Sequence, residues 1–299
     1  MKKITVIAIA VVIAACNQHI VPSQTPIVNT ETINEKKQTI LIGHCSISSM
    51  QAASYKDWFD KSYNSYSIDS SVVPQLKPLL QNKTIEIFLG SWCGDSKREV
   101  PRMLKLLNAA SFDTSNIKII FVDNASASYK QSPQHEEAGK NIHHVPTFIV
   151  YENNKELNRI VETPVTSLEK DLLAIVSKQA YQPSYKAINY WLHEVKGINK
   201  KKAEEELQNL VSTIKPLCKH QGELNSFGYL LLRDKKYNQA INVFKLNTLI
   251  YPNDPNLYDS LGEAYYKTDN KEEARKNYEK ALELNPKSEN AKMMLEKLK

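Results

Sequence analysis

Shifted by 34 positions, residues 222–299 match themselves. Gly228 falls on Gly262, Ala240 on Ala274, Phe244 on Tyr278 and Pro252 on Pro286, with Asp234 and Thr268 at the same place in a turn. A period of this length marks stacked pairs of helices, because one such pair cannot bury its own apolar face. The small residues let paired helices approach, and each proline ends the second helix of its pair. This quarter of the chain must therefore be all-α. Two units bury little core and about three are normally needed. The amphipathic stretch Ala203–Ile214 (Leu207, Leu210, Val211, Ile214), stopped by Pro216, and the segment Ala291–Leu298 should supply flanking caps.

The pattern resembles the tetratricopeptide repeat. The second unit is close to it, with Tyr258, Leu261, Gly262, Tyr265, Ala274, Tyr278, Ala281 and Pro286. The first carries Leu231 and Asn247 where the family has tyrosine and alanine. The resemblance implies a concave face that recruits a protein partner.

A second pattern lies upstream. The apolar run Ile85-Glu86-Ile87-Phe88-Leu89 leads to Trp92-Cys93-Gly94-Asp95-Ser96, with Pro101 eight residues after Cys93 and Val145-Pro146-Thr147 further on. These residues resemble the active-site frame of the thioredoxin superfamily. The fold implied is α/β: a central mixed sheet flanked by helices, joined here to all-α repeat hairpins. The spacing predicts strands at Ile85–Leu89 and Ile117–Val122 and a helix over Gly94–Ala109 interrupted at Pro101. It further predicts a hairpin of Thr147–Tyr151 with Glu156–Val161 around Asn153-Asn154, and a closing helix capped by Thr166 or Ser167.

By the same resemblance Cys93 is the nucleophile, and Pro146 is a cis-proline facing it. Trp92, Val145 and Thr147 shape a groove for an extended substrate strand. Ser96 replaces the usual second cysteine, so no disulfide can close within the motif. Family members of this Cys-x-x-Ser form tend toward mixed disulfides with protein or glutathione, or toward isomerisation. Ser96 can donate a hydrogen bond to the sulfur. Cys93 would begin a helix, where unpaired N–H groups favour negative charge. Lys97 and Arg98 push the same way and Asp95 opposes them. The family's buried acid, six residues before the cysteine, is here Ile87, and Glu86 should point to the other face.

The chain has four cysteines: Cys16, Cys45, Cys93 and Cys218. Cys45 is the candidate to resolve Cys93, or an idle buried thiol; Cys218 reads as packing. No two cysteines are close enough in sequence for a zinc ribbon. His135, His143 and His144 could approach Cys93, but adjacent histidines usually point apart, so no metal is expected, and no cofactor is implied.

The N-terminus reads as a targeting segment. Lys2-Lys3 precede an uncharged, mostly apolar stretch of twelve residues, Ile4–Ala15, too short for the roughly 20 of a membrane span. Ile13-Ala14-Ala15-Cys16 resembles a bacterial lipobox, which implies lipidation at Cys16 and a membrane anchor in the cell envelope. The expected organisation is a signal peptide at 1–15, a flexible tether at 16–38, and a lead-in to the thioredoxin-like domain at 39–83. Its core follows at 84–178, then a helical connector at 179–221, and two repeats plus a capping helix at 222–299. Within the lead-in, Thr39-Ile40-Leu41-Ile42 should form a short strand ending at Gly43, and Asp69 should cap a helix running through Leu80.

Net charge is +6, but Lys200-Lys201-Lys202 sit beside Glu204-Glu205-Glu206, a solvated face rather than a nucleic-acid groove. Two functions follow from the sequence. One is a membrane-anchored thiol protein, with oxidoreductase and isomerase both open; the other is a non-catalytic adaptor binding protein through its repeats.

Overall fold

The computed structural model describes residues 29–195, 197–198 and 202–299. Within them a sheet of six strands runs in the order β1-β2-β4-β3-β5-β6. The strands are β1 (Thr30–Ile33), β2 (Thr39–Cys45), β3 (Lys83–Leu89), β4 (Ile117–Phe121), β5 (Thr147–Glu152) and β6 (Lys155–Val161). Only β3 and β4 pair in parallel, which requires a crossover, and helix α3 (Gly94–Ala109) supplies it. The other four pairings are antiparallel.

Strand alternation sends residues to two unlike faces. Ile85, Ile87, Leu89, Ile119 and Phe121 face the larger core, closed by α1 (Ala53–Ser65), α2 (Val73–Leu79), α3 and α4 (Leu168–Val176). Phe88, Ile120, Val122 and Ile149 face a smaller one with Ile142 and Val145, against which Trp92 and Cys93 are partly buried.

The flexible tether expected over 16–38 is corrected at its end. Thr30–Ile33 pairs with Thr39–Ile42 as an edge strand. Asn34 closes the turn, its Oδ1 accepting from the N–H groups of Lys36 and Gln38 at 3.0 and 2.8 Å. Thr-Glu-Thr-Ile has almost no apolar alternation; its backbone groups are ordered by the neighbouring strand. Residues 16–28, with Cys16, and the signal segment 1–15 lie outside the described residues.

Three smaller expectations also shift. The helix after Asp69 begins at Val73, and the Asp69 carboxylate accepts instead from Ser71. Strand β2 continues through Gly43 to Cys45. Helix α3 is continuous across Pro101, which forgoes only its own bond to the preceding turn. The hairpin turns as expected, with Asn153 and Asn154 at φ of 52° and 62°, the left-handed pair of a two-residue turn. Ser167 caps α4, accepting from Lys170 N–H.

The remaining helices are α5 (Lys186–Glu194), α6 (Ala203–Ile214), α7 (Gly222–Arg233), α8 (Tyr237–Ile250), α9 (Pro255–Lys267), α10 (Lys271–Leu284) and α11 (Glu289–Lys297). The 34-residue period has a direct steric cause. A methyl group on Gly228 would sit 2.5 Å from the Phe244 ring, and one on Gly262 would sit 3.0 Å from Tyr278. Each aromatic ring fills the space its glycine leaves. Trp191, Leu207 and Ile214 join Leu224, Phe227 and Phe244 in one helical core, so the connector packs with the repeats. That core also takes in Val161 from the last strand. The two units meet again where the His143 ring packs edge-on to Phe227, with centroids 6.4 Å apart, and where Arg233 Nη1 donates to the Lys130 carbonyl at 3.2 Å.

Candidate functional site around Cys93

Strand β3 ends at Leu89, and Gly90-Ser91-Trp92 turns the chain into α3. Cys93 is the residue just before that helix; its N–H donates to the Gly90 carbonyl at 2.9 Å, and its own carbonyl accepts from Lys97 N–H at 3.0 Å. The loop is braced from three sides. Ser91 Oγ accepts from Leu41 N–H at 2.9 Å, tying it to β2. Trp92 Nε1 donates to the Val122 carbonyl at 2.8 Å, and its ring lies so close over Gly90 that a methyl there would meet it at 2.5 Å. Ser96, buried, accepts from Gly90 N–H at 3.2 Å. The Ser96 hydroxyl oxygen thus braces the turn at Gly90, a role that leaves its proton uncommitted.

The Cys93 sulfur is half-buried and donates to the Val145 carbonyl at 3.3 Å. The Val145–Pro146 peptide is cis. The Pro146 carbonyl accepts from Glu162 N–H at 2.6 Å, and Thr147 Oγ1 donates to the His144 carbonyl at 2.7 Å. Val145, Pro146 and Thr147 are all buried. What the segment presents to the sulfur is therefore backbone. Cys93, Trp92, Val145 and Pro146, expected together, do come together.

Arg98 does not. Its Nη2 meets Asp95 Oδ1 and its Nε meets Glu99 Oε1, both at 2.6 Å, and the Glu99 contact foremost holds the guanidinium's proton more tightly than usual. A cation satisfied by two carboxylates has little left for a neighbouring sulfur, so its expected part in the thiolate environment is corrected. Asp95 is matched in turn by Arg98. Lys97 stays in the first turn, half-buried.

Cys45 as resolving partner is also corrected. It lies level with Ile119, hence level with Ile87, six residues before Cys93. Strand β2 runs against β3, so its start approaches the loop and its end points away. The Cys45 thiol is buried in the opposite core, and burial pushes it up to about 11. A disulfide needs Cα atoms within about 7 Å, and two inter-strand spacings alone separate these strands by roughly 10 Å. Cys218 donates to the Ile214 carbonyl at 3.5 Å, and burial pushes it up to about 12.

Several neighbours of the sulfur escaped the sequence reading. Lys130 is only 8% exposed; its ammonium donates to the His143 carbonyl at 2.6 Å. Burial draws it down to about 8, while the charges of Glu162 and Cys93 pull it back up. Tyr185 hydrogen-bonds Glu162. The Tyr129 ring lies tilted against Trp92, with centroids 5.8 Å apart and planes at 35°. His143 and His144 do not point apart. Their Nδ1 atoms are 2.8 Å from each other, and the Tyr185 ring stacks on His144 at 3.8 Å and meets His143 edge-on. Burial, foremost, holds His143 down at about 3 and His144 below the ordinary range, so one neutral ring donates to the other. The signal that could have found this group is length. Residues 122–146 separate β4 from β5, and connections beyond about 12–15 residues are usually functional.

Among the described residues no group of three or more His, Cys, Asp or Glu could hold a metal ion. Nor is any described helix long and apolar enough to cross a membrane.

Residues 255–288 match the family described as tetratricopeptide repeat. Comparison with curated proteins gives no match. Among solved structures, the chain is similar to the first tetratricopeptide repeat of Spaghetti (RPAP3) bound to the HSP90 peptide SRMEEVD. Identity is 22% over 38% of this chain and 86% of that one, with a TM-score of 0.27. The first such domain of human RPAP3, solved by NMR, is also 22% identical, over 38% and 84% of the two chains, with a TM-score of 0.27.

Proposed function

We propose that the sheet unit is a thioredoxin-like thiol module in which Cys93 forms mixed disulfides, and that the helical repeats bring it a protein partner. The observation that carries this reading is the half-exposed Cys93 sulfur, 3.3 Å from the carbonyl that precedes a cis-proline. A sulfur there is reachable by a disulfide, and it sits beside the first N–H groups of α3, which lack helical partners. The Cys93 thiolate attacks one sulfur of a disulfide. A new S–S bond forms, the old one breaks, and the other sulfur leaves as a thiolate. Without a second cysteine in the motif, a further thiol such as glutathione must release the partner. Trp92 and Pro146 frame the sulfur, and Lys130 rather than Arg98 supplies the nearby buried cation.

The test is mass analysis after exposure to glutathione disulfide. The parent protein should gain one glutathionyl group and Cys93→Ser should gain none; labelling at Cys45 or Cys218 alone would sink the reading. The N-terminal pattern ending at Cys16 supports an anchor in a bacterial envelope. Intact mass of membrane-extracted protein should then show acyl chains at Cys16, lost in Cys16→Ala.

The repeat match at 255–288 also favours a second reading, an adaptor without thiol chemistry. Under that reading Cys93→Ser captures the same partners, and the parent protein forms no mixed disulfide.

A further inference from the structure

Helix α7 and the loop after β4 are the two walls of one groove of about 740 Å³, with α9 at its far side. That size is within the ~300–1,000 Å³ of ordinary ligand sites. Asn225, Tyr229 and Arg233 repeat every four residues along α7, so they form one stripe facing the loop. Asn124 and Lys130 face them from the sheet unit, and Glu263 comes from α9.

The groove holds an excess of unmet hydrogen bonding. Seven buried side-chain polar atoms lack a partner among the described residues, and three line this groove: Asn124 Oδ1, Asn225 Oδ1 and Arg233 Nη2. Each such atom costs free energy that a folded chain normally avoids. Their concentration on facing walls marks a place where a ligand, once these side chains turn toward it, would supply the partners. Two carboxamides and a guanidinium together need both donors and acceptors. A bare anion offers acceptors only. A peptide backbone offers both, in alternation, and a carboxamide matches a peptide group atom for atom.

We infer that this groove takes an extended segment of a partner polypeptide, held by Asn124 from one unit and by Asn225 and Arg233 from the other. The inference rests on the reading of the repeats as a protein-binding surface and deepens it: half of that surface belongs to the sheet unit. The groove is therefore complete only when the two units are joined. It also leads toward the sulfur, since Tyr129 lines it and its ring leans on Trp92, next to Cys93.

The experiment uses the Cys93→Ser chain, so thiol chemistry plays no part, and reduced carboxymethylated α-lactalbumin as a permanently unfolded probe. Asn124→Ala and Asn225→Ala should each weaken binding about three- to tenfold. Neither should lower Tm, because each removes an atom that is unpaired in the free protein. No binding, or loss with Asn225→Ala but not with Asn124→Ala, overturns the inference. So does displacement of the probe by millimolar inorganic phosphate, which would mark an anion site. Glutathionylation of Cys93 in the parent chain is a separate readout, so the thiol reading stands or falls independently.

Discussion

The sheet carries a cysteine against each of its faces, and the two thiols have opposite surroundings. Cys45 lies under the helices of the larger core, where burial suppresses ionisation. Cys93 lies against the smaller core, where a turn, a cis-proline segment and a buried lysine leave its sulfur half-exposed. Accessibility of each thiol here follows from which face a residue meets and which end of its strand it occupies. The start of β2 touches the Cys93 loop through Leu41 and Ser91, whereas Cys45 sits at the far end of the same strand.

Alkylation of the native protein should separate the faces most sharply. At pH 8, values of about 11 and 12 leave roughly one Cys45 in a thousand and one Cys218 in ten thousand as thiolate. Cys93 should therefore react with iodoacetamide at least about tenfold faster than either, and denaturant should erase the difference. Equal slow native rates would break the comparison. Next in size, Ile87→Ala should cost about 2–5 kcal/mol in chemical denaturation, because Ile87 is fully buried in the larger core. A loss under about 1 kcal/mol would mean that this face is loosely packed.

Alkaline pH gives a smaller contrast. The folded-state value of Cys45 lies above its unfolded value of 9.0, so its contribution to stability is complete below pH 9 and is lost as pH rises through about 11. Cys45→Ala should lose less Tm between pH 9 and 11 than the parent; equal slopes would remove Cys45 from that account. The smallest expected effect is at Arg98. Arg98→Gln should change the Cys93 alkylation rate less than about twofold, since Asp95 and Glu99 already hold its charge. A fivefold fall would restore Arg98 to the sulfur's surroundings.

Much of this architecture was legible in the residues themselves. The apolar run of β3, the Asn-Asn turn and the glycine–aromatic spacing of the repeats are local signals, and local signals survive in a single sequence. Strand β1 was not legible, because Thr-Glu-Thr-Ile takes its order from a neighbouring strand. The Cys93 frame was legible as a motif, yet its electrostatics were not. Arg98 looked like a cation for the sulfur until Asp95 and Glu99 were seen to hold it. Lys130, Glu162 and Tyr185 come from three separated segments that only the tertiary fold gathers, and no periodicity marks them.

Val161 closes the last strand and yet is counted in the core of the helices. A cut through the connector would strip that valine, and the His143 ring that leans on Phe227, of their cover. Either half expressed alone would carry a raw apolar scar. The boundary that looks clean along the chain is a seam through shared hydrocarbon, and fragments made there should self-associate where the intact chain does not.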